Sequence, residues 1–217
     1  MNKEYQRLRI TFSKGENLRY ISHLDLARTW ERALRRAGIP IFYSKGYHPH
    51  PKMVFAAALP VGCTGAAEVM DIKLAQPIPP RRMLRGLAHR LPDGLTVIDT
   101  VPVYGRAPAL PTLLHGADYE VVIETQKPIE TAREACATLL AHDTIPKTYR
   151  GKAYDLRPLI DQLYVVKAKE QYLLMQMQLA AGQRGTGRPT EVLDALGWSD
   201  CFNLCHRRQL RFAVDKS

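Results

Sequence analysis

Along the first hundred residues the hydrophobic positions change period several times, and each change predicts an element. Residues 7–12 alternate, with Leu8, Ile10 and Phe12 on one side and Arg7, Arg9 and Thr11 on the other, the pattern of a half-buried strand. Lys14-Gly15-Glu16-Asn17 reads as a turn. The period then becomes helical. Ser22 with Asp25 three residues on starts a helix, Leu26, Trp30, Ala33, Leu34 and Ala37 form its apolar stripe, and Gly38 with Pro40 ends it. Arg28, Arg32, Arg35 and Arg36 recur at helical spacing on another, exposed side. Residues 39–43, 53–59 and 67–74 read as strands, 81–90 as a helix, and 95–101 as a strand after the Pro92-Asp93-Gly94 turn. The order β-α-β-β-β-α-β predicts a ferredoxin-like unit with an added hairpin strand.

Residues 102–116 hold Pro102, Pro108, Pro111, Gly105 and Gly116, so a linker is placed at 104–116, between a domain of residues 1–103 and another of residues 117–217. Beyond it the alternation restarts. Strands are expected at 119–124, 164–168 and 172–179, a short extended stretch at 148–154, and helices at 129–141, 156–163 and 189–196. The predicted fold class is therefore α+β, with a ferredoxin-like N-terminal domain followed by a smaller α+β domain, itself a candidate second ferredoxin-like unit.

A chain of 217 residues is long enough to bury a core in each half. The first seven residues lack the apolar stretch of a signal peptide, and no apolar run approaches the roughly 18 residues of a membrane span. The expectation is a cytoplasmic protein without membrane contact, whose four cysteines (Cys63, Cys136, Cys201, Cys205) are reduced. The net charge of +10 is unevenly spread: residues 1–116 carry 17 Lys/Arg against 8 Asp/Glu, and residues 117–217 carry 14 against 13. A basic excess so placed attracts a phosphate backbone or an acidic partner, while a solvated basic face is the plainer alternative.

Three segments carry candidate chemistry. At the entry of the arginine-bearing helix, Ser22 and His23 can meet an anion at free backbone N–H groups, and His23 has the pKa range of an acid or base. Simple capping also accounts for Ser22. The second segment, residues 43–52, puts Tyr43, Lys45, Tyr47, His48, His50 and Lys52 around Gly46, Pro49 and Pro51, a composition suited to stacking on bases and contacting phosphates, or to a rigid turn. Third, the Gly185-Thr186-Gly187 turn before a helix offers amides and Arg188 to an anion, and Arg157 stands at another helix entry. No P-loop or dinucleotide fingerprint is present. His48 and His50 lack further ligands at a metal spacing, and Cys201 and Cys205 lack a second ligand pair, so no metal and no cofactor are expected.

Ser22-His23-Leu24-Asp25, Arg35-Arg36-Ala37-Gly38, the 43–52 segment, Leu59-Pro60-Val61-Gly62, Asp155-Leu156-Arg157-Pro158 and Gly187-Arg188-Pro189 together resemble a bacterial family of radical SAM-linked proteins. The resemblance spans nearly the whole chain. It implies an accessory encoded beside, or fused to, a radical SAM enzyme, with no established reaction of its own. The CxxxCxxC cluster of the radical enzyme itself is missing here.

The expected function is RNA binding as an accessory to such an enzyme in RNA modification or processing, with the arginines on phosphates and Tyr47 stacking. Two alternatives stand beside it: an enzyme acting on RNA or a phosphorylated substrate with His23 as acid or base, and a module docking an acidic protein.

Overall fold

The computed structural model describes residues 5–201 and 203–213; residues 1–4, 202 and 214–217 lie outside it, and with them the readings that touch the first four residues and Phe202. Two compact units divide the chain, Met1–Leu113 and Leu114–Ser217.

In the first unit the strands β1 (Gln6–Lys14), β2 (Met53–Phe55), β3 (Cys63–Leu74) and β4 (Leu95–Val103) alternate with helices α1 (His23–Arg36) and α2 (Pro80–Leu87). The strands lie in the order β4-β1-β3-β2, every neighbour antiparallel. This is the ferredoxin-like β-α-β-β-α-β arrangement. Alternation in β1 sends Leu8, Ile10 and Phe12 inward, where Leu8 faces Ile72 and Ile10 faces Met70 across the β1–β3 ladder. Leu26, Trp30, Ala33 and Leu34 of α1 cover them, with Phe12 and Trp30 meeting edge to face at 5.0 Å between ring centres.

The strand expected at 39–43 survives only as the isolated bridges Ile41–Leu74 and Tyr43–Pro51, because Pro40 has no N–H to give a ladder. The strand expected at 53–59 stops at Phe55, while β3 starts at Cys63, four residues earlier than the alternation suggests. Within residues 104–116, Leu110–Leu113 makes one helical turn, α3, with Leu110 buried.

The second unit comprises β5 (Leu114–Glu124), α4 (Ile129–Ala141), the hairpin β6 (Pro146–Tyr149) and β7 (Lys152–Asp155), β8 (Ile160–Lys169), β9 (Tyr172–Ala180), α5 (Pro189–Ala195) and β10 (Asn203–Phe212). Its main strands run β10-β5-β9-β8, again all antiparallel. The hairpin apart, the topology of the first unit is repeated. Val121, Ile123, Met175, Met177 and Leu179 fill its core.

One more expectation is corrected here, and one element was missed. The helix placed at 156–163 is a three-residue turn, Arg157–Leu159, after which Ile160 opens β8. β10 was not anticipated, since Arg207, 2 % exposed, occupies an inward position that an apolar residue would have signalled. Among the described residues no helix is long and apolar enough to cross a membrane.

Candidate functional site: a histidine-lined cleft beside the α1 arginines

The start of α1 is built by its first four residues. Ser22, in extended conformation, accepts a hydrogen bond on Oγ from the Asp25 N–H at 3.1 Å, and its hydroxyl donates to Asp25 Oδ2 at 2.7 Å. Arg28 Nη1 lies 3.4 Å from Asp25 Oδ1. The Asp25 carboxylate thus already sits against the positive end of the helix, which places Ser22 in a cap. His23 is exposed, and its ring packs edge-on against Phe55 at 5.0 Å.

Residues 43–52 form a closed loop held by its own backbone. Tyr43 bridges to Pro51, the Ser44 N–H donates to the His50 carbonyl at 2.8 Å, the His50 N–H donates to Ser44 Oγ at 2.9 Å, and the Lys52 N–H donates to the Phe42 carbonyl at 2.8 Å. Gly46, at φ +135°, permits the reversal at the tip. Tyr47 there is 97 % exposed, its ring edge-on to His48.

Loop and helix enclose a cleft of about 700 Å³, whose walls include His23, Arg28 and Glu31 from α1, and His48, His50 and Phe55 from the loop and β2. Four residues singled out in the sequence are thereby brought together: His23, Arg28, His48 and His50. Others are not part of its lining. Arg32 and Arg35 are exposed farther along α1, and Arg36 donates to the Arg90 carbonyl at 2.8 Å. Lys45, Tyr47 and Lys52 are exposed around the loop, whereas Tyr43 is half-buried against the core. Phe55 and Glu31 gave no signal in the sequence, because an apolar strand residue and a helical glutamate become cleft walls only through packing. Chemically the cleft offers three imidazoles and one guanidinium against one carboxylate, a set that can bind an anion or move a proton. Among the described residues no group of three or more His, Cys, Asp or Glu side chains is placed to hold a metal ion.

The remaining candidates lie in the second unit. Arg157 is spent on main chain, its Nε donating to the Leu140 carbonyl at 2.9 Å and its Nη1 to the Ile160 carbonyl at 3.1 Å. Arg188 stacks on Tyr149, 3.7 Å above the ring centre, and pairs with Glu191 at 2.9 Å. A shallower cleft of about 500 Å³ adjoins it. The glycines of the turn have a packing reason: a Cβ on Gly187 would come within 2.9 Å of the Leu159 carbonyl oxygen. Cys136 is a buried free thiol whose pKa burial pushes up to about 11, and Cys201 is a half-buried free thiol.

The family model for an uncharacterized protein conserved in bacteria (DUF2344) matches residues 7–189. The chain belongs to that family. No curated protein matches this member of it. Among solved structures, a chain of a Cbf5-Nop10-Gar1 complex is similar at a TM-score of 0.51 with 9% identity, over 95% of this chain and 50% of that one. A chain of an archaeal box H/ACA sRNP Nop10-Cbf5 complex gives 0.47 and 11% identity over 99% and 50%, a likeness too slight to argue from. The family member spans about half the length of those solved chains. At such identity the first likeness concerns the fold alone, which is α+β.

Proposed function

We propose that this protein binds RNA in the cytoplasm through its N-terminal domain, residues 1–103, as an accessory to a radical SAM enzyme that modifies or processes that RNA. The observation that carries the reading is the convergence of His23 and Arg28 from α1 with His48 and His50 from the loop on one cleft, flanked by exposed arginines and by Tyr47. Guanidinium and ammonium groups bind phosphates whatever the sequence, and an exposed ring stacks on whatever base lies beside it. Arg28, Arg32, Arg35 and Arg36 contact phosphates in this reading, Lys45 and Lys52 flank the site, and Tyr47 stacks. Arg157 and Arg188, engaged as they are with carbonyls, Tyr149 and Glu191, support it least. The radical SAM partner rests on the motif resemblance alone.

The test is crosslinking of the purified chain to cellular RNA, alongside a variant with Arg28, Arg32, Arg35 and Arg36 changed to Gln. A defined RNA class enriched by the native chain and lost by the variant is expected. Log affinity for that RNA should fall with log salt, and the variant should flatten the slope by roughly 3 at about 0.7 per single-strand phosphate contact. Salt-independent binding, or no enrichment, refutes the reading.

A second reading is favoured by the three imidazoles on one cleft: His23 as the acid or base of a reaction on RNA or a phosphorylated substrate, with His48 or His50 as its partner. It expects turnover of the crosslinked RNA by the isolated chain, abolished in His23→Ala while binding survives.

A further inference from the structure

A second cleft of the first unit involves none of these residues. In the β1–β3 register Arg7 stands directly opposite Lys73, so two cations leave the sheet side by side on one face. Like charges so placed repel and weaken a strand pair. The adjacent carboxylate does not relieve them both. Asp71 is held in a fork by Arg9, with Nε to Oδ1 at 2.8 Å and Nη2 to Oδ2 at 3.1 Å, and reaches Arg7 Nε only at 3.6 Å. Among the described residues the Arg7 Nη2 is buried without a hydrogen-bond partner, which costs stability.

Both cations open on a cleft of about 620 Å³ whose walls also include Tyr5, Pro102, Tyr104 and Gly105, with no Asp or Glu among the described residues that line it. Tyr104 is 81 % exposed at the rim, and Tyr5 is braced against Phe42 at 4.5 Å between ring centres. Arg7, met by Asp71 only at 3.6 Å, and Lys73, beside the exposed ring of Tyr104, match a phosphate attached to a flat ring.

We propose that this cleft is a nucleotide-binding site, with the phosphate between Arg7 and Lys73 and the base against Tyr104. It shares no residue with the α1 cleft and stands whether or not that cleft binds RNA. The phosphate can belong to a free nucleotide or to a strand, and the test separates the two.

Calorimetric titration of the full chain at low salt would compare AMP and UMP with adenosine, inorganic phosphate and a short single-stranded RNA. A mononucleotide or the RNA should bind at least about tenfold more tightly than adenosine or phosphate, since both contacts must act together. Lys73→Gln and Tyr104→Ala, both at exposed positions, should each weaken that binding roughly tenfold while the unliganded melting temperature holds. The probe whose binding Lys73→Gln and Tyr104→Ala weaken more names the source. Nucleotide and strand binding no better than phosphate, or binding that both Lys73→Gln and Tyr104→Ala leave intact, overturns the proposal.

Discussion

Arg157 reaches back seventeen residues to cap the end of α4, its Nε donating to the Leu140 carbonyl at 2.9 Å. Its Nη1 closes on the Ile160 carbonyl at 3.1 Å, and the Asp155 carboxylate accepts from its backbone N–H at 2.9 Å. The side chain thus ties the end of a helix to the start of β8. Arg157→Ala strands both carbonyls and should cost about 2 to 3 kcal/mol, read as a lowered urea midpoint with an unchanged slope. An unchanged midpoint would show that water replaces the guanidinium at no cost.

Asp161 makes the second unit sensitive to acid. Burial raises its pKa, but hydrogen bonds and charge from Arg211 and Arg184, at 2.7 and 3.0 Å, outweigh burial and leave it below the ordinary value. A carboxyl with a depressed folded pKa stabilises fully above its unfolded value of about 4, and that contribution fades as pH falls through the lower folded value. The native chain should therefore lose stability below about pH 4. Asp161→Asn should start less stable at neutral pH and fall away less steeply, which denaturant midpoints across a pH series would show. Parallel curves for the two proteins would count against the ion pairs.

The two free thiols should differ sharply in reactivity. Burial holds the Cys136 thiol in its protonated form at neutral pH, whereas Cys201 is half-buried and within reach of solvent. Brief alkylation of the native chain followed by peptide mapping should find Cys201 modified and Cys136 spared until denaturant is added. Early labelling of Cys136 would mean that α4 opens readily from its sheet.

What could be read from the sequence was whatever a local pattern enforces. α1 was legible because Trp30 and Leu34 recur at helical spacing between a capping Ser22 and a terminating Gly38, and β1 because Leu8, Ile10 and Phe12 alternate without interruption. β10 was not, since its inward Arg207 breaks the same rule. Residues 156–163 read as helical because nothing local reveals that Ile160 pairs with Leu179 in a sheet. The α1 cleft was half legible: His23, Arg28, His48 and His50 were each chosen for their chemistry, but only the tertiary fold puts a loop 25 residues downstream of His23 against the same helix. Arg7 and Lys73 lie 66 residues apart and look ordinary until the strand register sets them face to face.

The bonds that close residues 43–52 also bear on how fast and how tightly a ligand is met. Main-chain bonds from Ser44 to His50 and from Lys52 to Phe42, with the Ser44 hydroxyl accepting from the His50 N–H, fix the loop, so the exposed Tyr47 ring is displayed on a finished support. Little backbone freedom remains in this loop to be lost if a ligand binds there.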